Sequence, residues 1–350
     1  MRRKSRKVKV GKLFVGGDAP ISIQSMTTTD TTDVKATINQ IHGLEEIGCE
    51  IIRVSAPKME DAHALKEIKA NINIPLVADI HFDYRIALEA AKYVDKLRIN
   101  PGNIGNEEKI KLVVNAAKDN NIPIRVGVNL GSLEKDLFEK YGYSAEAMVE
   151  SALRHVKILE KLDFYDTIVS LKASDVTRMV QAYRMFAEKT DYPLHLGVTE
   201  AGSKIPGAIK SSMGMGILLS EGIGDTIRVS LSEDPREEVK VGKQILRSLG
   251  LRKEGVEVTS CPTCARTHVG VIKMVEEIEE KTEKIKKPIH VAIMGCAVNG
   301  PGESKKADIG IVGGVGNTNL LYKDGKIVAK VERDKIVDTV LKEIDALNKE

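Results

Sequence analysis

A chain of 350 residues with 53 basic and 50 acidic side chains carries a formal charge of +3, too mild to argue for nucleic acid as a partner. Hydrophobic residues make up 42% and charged residues 29%, the balance of a globular protein that can bury one large core and a second small one. Aromatic residues amount to 4%, little for base stacking, and no apolar run reaches the roughly 18 residues of a membrane span.

The start, Arg2-Arg3-Lys4-Ser5-Arg6-Lys7, is basic without an apolar stretch behind it, so it does not read as a secretory signal. It is expected to be a solvated terminus, and the chain a cytoplasmic enzyme. The rival outside enzymology, an RNA-binding module using this arm, predicts binding that weakens steeply with salt. Residues 8–17 read as a small hairpin with a glycine turn.

After it, strand-like and helix-like segments alternate. Apolar strand candidates lie at 21–26, 51–55, 76–81, 96–100, 124–129, 167–174, 194–199 and 226–230. Helical patterns lie at 33–47, 60–70, 85–93, 107–120, 145–162, 174–189, 203–219 and 234–249. Eight βα repeats over about 240 residues predict an α/β fold of the TIM (β/α)8 barrel type for residues 1–250. A doubly wound open sheet is the alternative, but Ser25-Met26-Thr27-Thr28-Thr29 is not the glycine-rich phosphate turn it would need.

Alternate residues of a strand share a face. The strand ends therefore present Arg53 and Ser55, Asp79 and His81, Arg98 and Asn100, then Arg125, Gly127 and Asn129. Ser170, Lys172 and Ser174 follow, then His195 and Thr199 with Glu200 in the loop, and finally Arg228 and Ser230. Cations end five of the eight strands, with Asp79 and Glu200 as opposing charges in the ring. Burying unpaired ions costs several kcal/mol each, so a bound polyanion is expected to neutralise the remainder. Guanidinium forks match phosphate oxygens, which predicts a phosphorylated, diphosphate-bearing small substrate.

Residues 251–350 read as a small α+β domain: a helix at 266–285, strands at 288–294 and 307–313, a hairpin at 320–329 with an Asp-Gly turn, and a helix at 334–347. It carries Cys261-Pro262-Thr263-Cys264 and, after a short apolar run, Gly295-Cys296-Ala297-Val298-Asn299-Gly300-Pro301-Gly302-Glu303. Three thiols in two tight loops can hold zinc, with His268 as a fourth ligand, or an iron–sulfur cluster, with Glu303 in reach; the thiols alone leave both open. Cys49 reads as a small buried residue.

The strand-end set Ala78-Asp79-Ile80-His81-Phe82, Leu97-Arg98-Ile99-Asn100-Pro101-Gly102, Arg125-Val126-Gly127-Val128-Asn129, Leu171-Lys172-Ala173-Ser174-Asp175 and Gly197-Val198-Thr199-Glu200-Ala201-Gly202, together with the two cysteine loops, resembles the 4-hydroxy-3-methylbut-2-enyl diphosphate synthases of the non-mevalonate isoprenoid route. The resemblance spans nearly the whole chain and is to the shorter, two-domain bacterial type. It implies a [4Fe-4S] cluster on Cys261, Cys264, Cys296 and Glu303, which decides against zinc. It also implies an iron–sulfur oxidoreductase that opens 2-C-methyl-D-erythritol 2,4-cyclodiphosphate by two-electron reduction and loss of water, fed by reduced flavodoxin or ferredoxin. Glu200 is expected to position or protonate the departing hydroxyl, with Glu303 as the more easily displaced cluster ligand. Arg53, Asp79, His81, Arg98, Asn100, Arg125, Asn129, Lys172, Ser174, Arg228 and Ser230 are the expected substrate contacts. The alternative is a zinc-containing barrel aldolase or pterin synthase acting on a phosphorylated substrate.

The last barrel helix should return the chain to the end of the barrel away from the cations, and the linker after it is short. A head-to-tail homodimer with shared sites is therefore expected, in agreement with what the resemblance implies.

Overall fold

The computed structural model describes residues 2–349. They form two compact units, one ending at Leu251 and the other starting at Arg252.

The first unit is built on eight parallel strands: Ser22–Met26, Ile51–Ser55, Leu76–Asp79, Lys96–Ile99, Ile124–Asn129, Thr167–Lys172, His195–Leu196 and Thr226–Ile227. The first six pair in chain order, and Thr226 pairs with both Ser22 and His195. A parallel bridge from Val169 to Leu194 closes the ring, so the unit is a TIM barrel. The last two strands are shorter than their apolar runs suggest. Beyond them the ladder continues only as single bonds, such as Arg228 N–H to the Leu196 carbonyl at 2.9 Å.

Strand alternation sorts the side chains as the pleat requires. Ile52, Val54, Leu97, Ile99, Val126 and Leu171 face outward and are fully covered by helices Val34–Glu46, Met59–Ala70, Tyr84–Ala90, Glu107–Asp119, Ala145–Glu160, Val176–Lys189, Lys204–Ser220 and Pro235–Ser248. Six of these helices start at an Asp, Asn or Ser (Asp33, Asp83, Asn106, Ser144, Asp175 and Asp234) whose side chain accepts a first-turn N–H, each worth about 1 kcal/mol. The loops after the fourth and fifth strands hold two short helices that the sequence pattern does not announce, Pro101–Ile104 and Lys135–Tyr141.

At the other end, hairpin Val8–Val10 and Leu13–Val15 turns at Gly11, φ +57°. Its Val8, Val10 and Val15 pack on Ile51, Val77 and Ile168, the first inward residues of their strands. The basic arm before it is not the solvated terminus expected. Arg2 pairs with buried Asp225 at 2.8 Å, Arg3 donates to the carbonyls of Thr190 and Tyr192 at 2.7 and 2.5 Å, and Arg6 pairs with Asp191 at 2.6 Å and lies over the Tyr192 ring. Its charges are spent on the barrel, where carboxylates and orphan carbonyls need donors.

The second unit is a five-stranded sheet in chain order: Val256–Ser260, Ile289–Met294 and Ile309–Val312 run parallel, and Asn319–Lys323 and Lys326–Val331 are antiparallel. The first strand was not among the expected elements, because its alternate residues Glu257 and Thr259 are polar at a sheet edge. Helices Val271–Thr282 and Ile336–Lys349 bury Ile278, Val340 and Ile344 against Val291, Ile293, Ile309 and Ile311. Asp324 and Gly325 both take positive φ, +48° and +77°, the geometry of a two-residue hairpin turn. Among the described residues no helix is long and apolar enough to cross a membrane.

Candidate active site

The inward residues at the carboxyl ends of the barrel strands converge as cations. Arg53, Arg98, Arg125 and Lys172 are 8, 6, 1 and 6% exposed, and Arg228 is partly buried. Lys96, two residues before Arg98 on the same face, joins them fully buried, its Nζ 3.4 Å from Gln24 Oε1 across the barrel. Room for these groups comes from glycine. A Cβ on Gly127 would lie 2.7 Å from Arg98 Nε, and one on Gly197 would lie 2.9 Å from Lys172 Nζ.

Two buried carboxylates face the cations. Asp79 accepts from Arg98 Nη1 at 2.9 Å, with Arg53 Nε and His81 Nε2 each at 3.6 Å. Burial works against its ionisation, yet Arg53, His81 and Arg98 overcome it and hold the carboxyl far below the ordinary range. The second carboxylate is Glu238, on helix Pro235–Ser248. It accepts from Ser25 Oγ at 3.0 Å and Leu231 N–H at 3.1 Å, with Arg228 Nη2 at 3.5 Å.

The remaining charge is uncompensated. Arg125 Nε and Nη1, Arg98 Nε and Arg228 Nε are buried without a hydrogen-bond partner among the described residues. Burial, aggravated by neighbouring guanidiniums, pushes Arg125, Lys172 and Lys96 well below their usual ranges, and Arg53 to about 9. His195 is fully buried and pushed down for the same reasons, with both ring nitrogens unpartnered, so it is a neutral imidazole in the barrel wall. Such an arrangement, with donors in place and acceptors wanting, can accommodate negative charge.

Not every expected contact stands in this ring. His81 is at the rim, its side chain 42% exposed. Asn100 is buried, but its side chain accepts from Gly102 N–H at 3.1 Å and caps the short helix there. Asn129 and Ser230 are half-buried at their strand ends, while Ser174 and Glu200 are exposed. Glu200 sits in the loop after the seventh strand with φ +51°; the buried carboxylates facing the cations are Asp79 and Glu238. Sequence reading passed over Lys96 and Glu238. Lys96 is in alternation with Arg98, and Glu238 is one turn before Gly242 on the buried face of its helix, so both periodicities carried the signal.

In the second unit, three parallel strands end at one edge. Ser260 lies in register with Ile293, which brings the loop starting at Cys261 beside the loop holding Cys296. Gly295 N–H donates to Cys261 Sγ at 3.2 Å, Cys264 is exposed, and all three thiols are free. A hydrogen bond from the Arg266 backbone pulls the Cys264 thiol down. Glu303 rides on helix Gly300–Ser304 and pairs with Lys306 at 3.3 Å. His268, the zinc alternative's fourth ligand, is exposed and bonds Gly295 only through its backbone. Among the described residues no three His, Cys, Asp or Glu side chains close on a single ion. A cluster spaces its ligands more widely than one ion does, since each binds a different iron, and three thiols with backbone N–H groups at a glycine-rich edge suit it.

Comparison with known proteins places both units. Residues 5–243 match the family model described as the GcpE TIM-barrel domain, and residues 257–346 match the GcpE protein C-terminal domain. A protein of Caldanaerobacter subterraneus subsp. tengcongensis named 4-hydroxy-3-methylbut-2-en-1-yl diphosphate synthase (flavodoxin) is 58% identical over 352 residues, covering 100% of this chain and 99% of that one. A protein of the same name from Ruminiclostridium cellulolyticum is 58% identical over 348 residues, covering 99% and 98%. Among solved structures, an N-acetylneuraminic acid synthetase from Leptospira borgpetersenii is similar with a TM-score of 0.52 at 14% identity, over 80% of this chain and 98% of that one, a likeness of fold alone.

Proposed function

The chain belongs to the GcpE family, and on that premise we propose that it reduces 2-C-methyl-D-erythritol 2,4-cyclodiphosphate to 4-hydroxy-3-methylbut-2-enyl diphosphate. Two electrons and two protons enter and one water leaves. The observation that carries this reading is the ring of Arg53, Arg98, Arg125, Lys172 and Arg228, in which Arg98 Nε, Arg125 Nε and Nη1 and Arg228 Nε are buried without an acceptor among the described residues. A diphosphate supplies those acceptors and the missing negative charge.

Each residue of the mouth then has a task. Arg53 and Arg98, fixed by Asp79, hold phosphate oxygens in a set orientation, so the reacting carbons are placed without a search. Arg125, Lys172 and Arg228 stabilise the charge released onto phosphate as the ring opens. Asn129, Ser174 and Ser230 supply hydrogen bonds at the rim, and Asn100 has its amide NH2 to offer while its oxygen caps Gly102. His81, beside Asp79, donates to the same anion. Glu200 delivers a proton to the departing hydroxyl; support for it is a carboxylate in the loop following the seventh strand, at the end where barrel enzymes keep their chemistry.

Cys261, Cys264, Cys296 and Glu303 would hold a [4Fe-4S] cluster, which when bound passes electrons singly from donor to substrate. The relatives' names point to flavodoxin as that donor, with ferredoxin as the substitute of like chemistry. Nothing favours the zinc aldolase or pterin-synthase alternative.

We infer further that two copies assemble head to tail with shared sites. Gly250 and Leu251 still bond back to the last barrel helix. Residues 252–255 alone precede strand Val256–Ser260, about 14 Å at full extension. The helix itself, Pro235–Ser248, returns the chain about 21 Å from the cationic end. So short a tether favours service to a neighbour's mouth.

The deciding experiment is anaerobic iron and sulfide analysis beside turnover of the cyclic diphosphate with a strong reductant. Protein loaded with iron and sulfide that leaves the substrate unchanged would refute the proposal.

A further inference from the structure

Glu238 is a charge in an unusual place. Its helix is otherwise a barrel-covering helix, with Val239, Gly242, Ile245 and Leu246 buried against the strands. One turn before Gly242, the carboxylate reaches under the strand ends and is 5% exposed. Both oxygens are engaged: Oε2 takes the Ser25 hydroxyl at 3.0 Å, and Oε1 takes the Leu231 N–H at 3.1 Å and lies 3.5 Å from Arg228 Nη2. Ser25 is on the first strand, and Arg228 and Leu231 follow the eighth, so one side chain ties the barrel's first and last strands. Arg228 Nε meanwhile has no partner among the described residues. The guanidinium is thus gripped from behind on one nitrogen, with donors left over for the mouth.

We propose that Glu238 is a positioning residue for diphosphate binding and acts through Arg228, presenting that guanidinium to the substrate's phosphate oxygens. The inference rests on the reading of the mouth as the cyclic diphosphate's site. It also makes a prediction whose sign separates it from simple charge counting. Deleting a negative charge from a cationic mouth should tighten anion binding if Glu238 only offsets charge. Deleting a clamp should weaken it, because Arg228 then loses its fixed geometry and the anion must order it on binding.

The test is calorimetric titration of 2-C-methyl-D-erythritol 2,4-cyclodiphosphate into the cluster-loaded full chain, anaerobically and without reductant, so that no turnover intervenes. Glu238→Gln is expected to raise Kd about tenfold, the coupling typical of residues in one network. Arg228→Met should raise it about a hundredfold. The double variant should be no weaker than Arg228→Met within about twofold, because the clamp has nothing left to hold. Additive losses, an unchanged Kd or tighter binding in Glu238→Gln would overturn the clamp while leaving the mouth assigned. An unaltered Kd in Arg228→Met would instead overturn the assignment of the mouth, and the clamp with it. Should Glu238→Gln not fold, Glu238→Asp keeps the charge and withdraws it by one methylene: a raised Kd supports the clamp and an unchanged one overturns it.

Discussion

Asp79 Oδ1 lies 2.9 Å from Arg98 Nη1 on the next barrel strand, while Oδ2 lies 3.6 Å from Arg53 Nε on the strand before. One carboxylate therefore serves as counter-ion to two buried guanidiniums. Asp79→Asn keeps the shape and removes the charge, leaving both arginines without it. The expected loss is about 3–5 kcal/mol of stability. Its pH dependence follows from the depressed pKa of the folded state. The stabilisation is fully present above the unfolded carboxyl's pKa of about 3.9 and is lost as pH falls below that toward the folded value. Urea unfolding from pH 7 downward should show wild type and variant converging below about pH 4. A constant gap would mean that Asp79 does not stabilise by its charge.

Arg125 invites the opposite experiment. It is 1% exposed with Nε and Nη1 unpartnered, and Arg53 and Arg98 repel it. Replacing a buried, uncompensated ion by a hydrophobe of similar reach is stabilising by about 1–4 kcal/mol. Arg125→Met should therefore raise Tm while abolishing the binding that the charge serves. Inorganic pyrophosphate provides a second reading: at a hundred times its Kd it should stabilise wild type by about 2.7 kcal/mol and the variant hardly at all. A variant with lowered Tm would show that Arg125 is already compensated in the free protein.

The hairpin at the closed end separates stability from chemistry. Val10 is fully buried among Val8, Val15, Ile51, Val77 and Ile168, at the end of the barrel opposite the cations. Val10→Ala should cost about 1–2 kcal/mol by lost burial and the cavity left behind. Steady-state kcat and KM should stay within about twofold, since the amino-terminal face of such barrels serves folding rather than catalysis. A tenfold change in KM would mean that packing strain reaches the mouth.

How much of this was legible beforehand follows from which signals are local. Inward Arg53, Asp79, Arg98, Arg125 and Lys172 were readable because a strand's two-residue period sorts faces without reference to any neighbour. The helix period placed Glu238 on a buried face, but its task was missed because Ser25, 213 residues away, meets it only when the ring closes. Asn100 was expected as a substrate contact at a strand end, yet its oxygen accepts from Gly102 N–H as a cap, a competing use common to asparagine that leaves only its amide NH2 for the substrate. The arm at Arg2, Arg3 and Arg6 was misread for the same reason as Glu238, since Asp225, Tyr192 and Asp191 are distant in sequence. Helix Gly300–Ser304 was invisible because Gly and Pro speak against helix, although Pro fits its first turn.

That last helix yields a prediction about the cysteine-bearing edge. Strand Ile309–Val312 carries Gly310, where a Cβ would fall 2.3 Å from Ser304 Cβ and 2.8 Å from its Cα. On the same strand, Val312 Cγ1 would meet a Cβ on Gly300 at 2.5 Å. Two glycines thus let the helix bearing Glu303 lie flat on the sheet, and at Gly310 the obstruction includes Ser304 Cα, a backbone atom that cannot swing aside. Gly310→Ala must push that helix away, at about 1–3 kcal/mol for an overpacked contact, and shift Glu303 relative to Cys261 and Cys296. Anaerobically reconstituted Gly310→Ala should hold less iron and sulfide per chain and lose turnover. Pyrophosphate binding by the barrel should remain within about twofold of wild type, because the barrel folds around its own core. Full iron and sulfide content with wild-type turnover in this variant would show that the placement of Glu303 does not depend on the close contact.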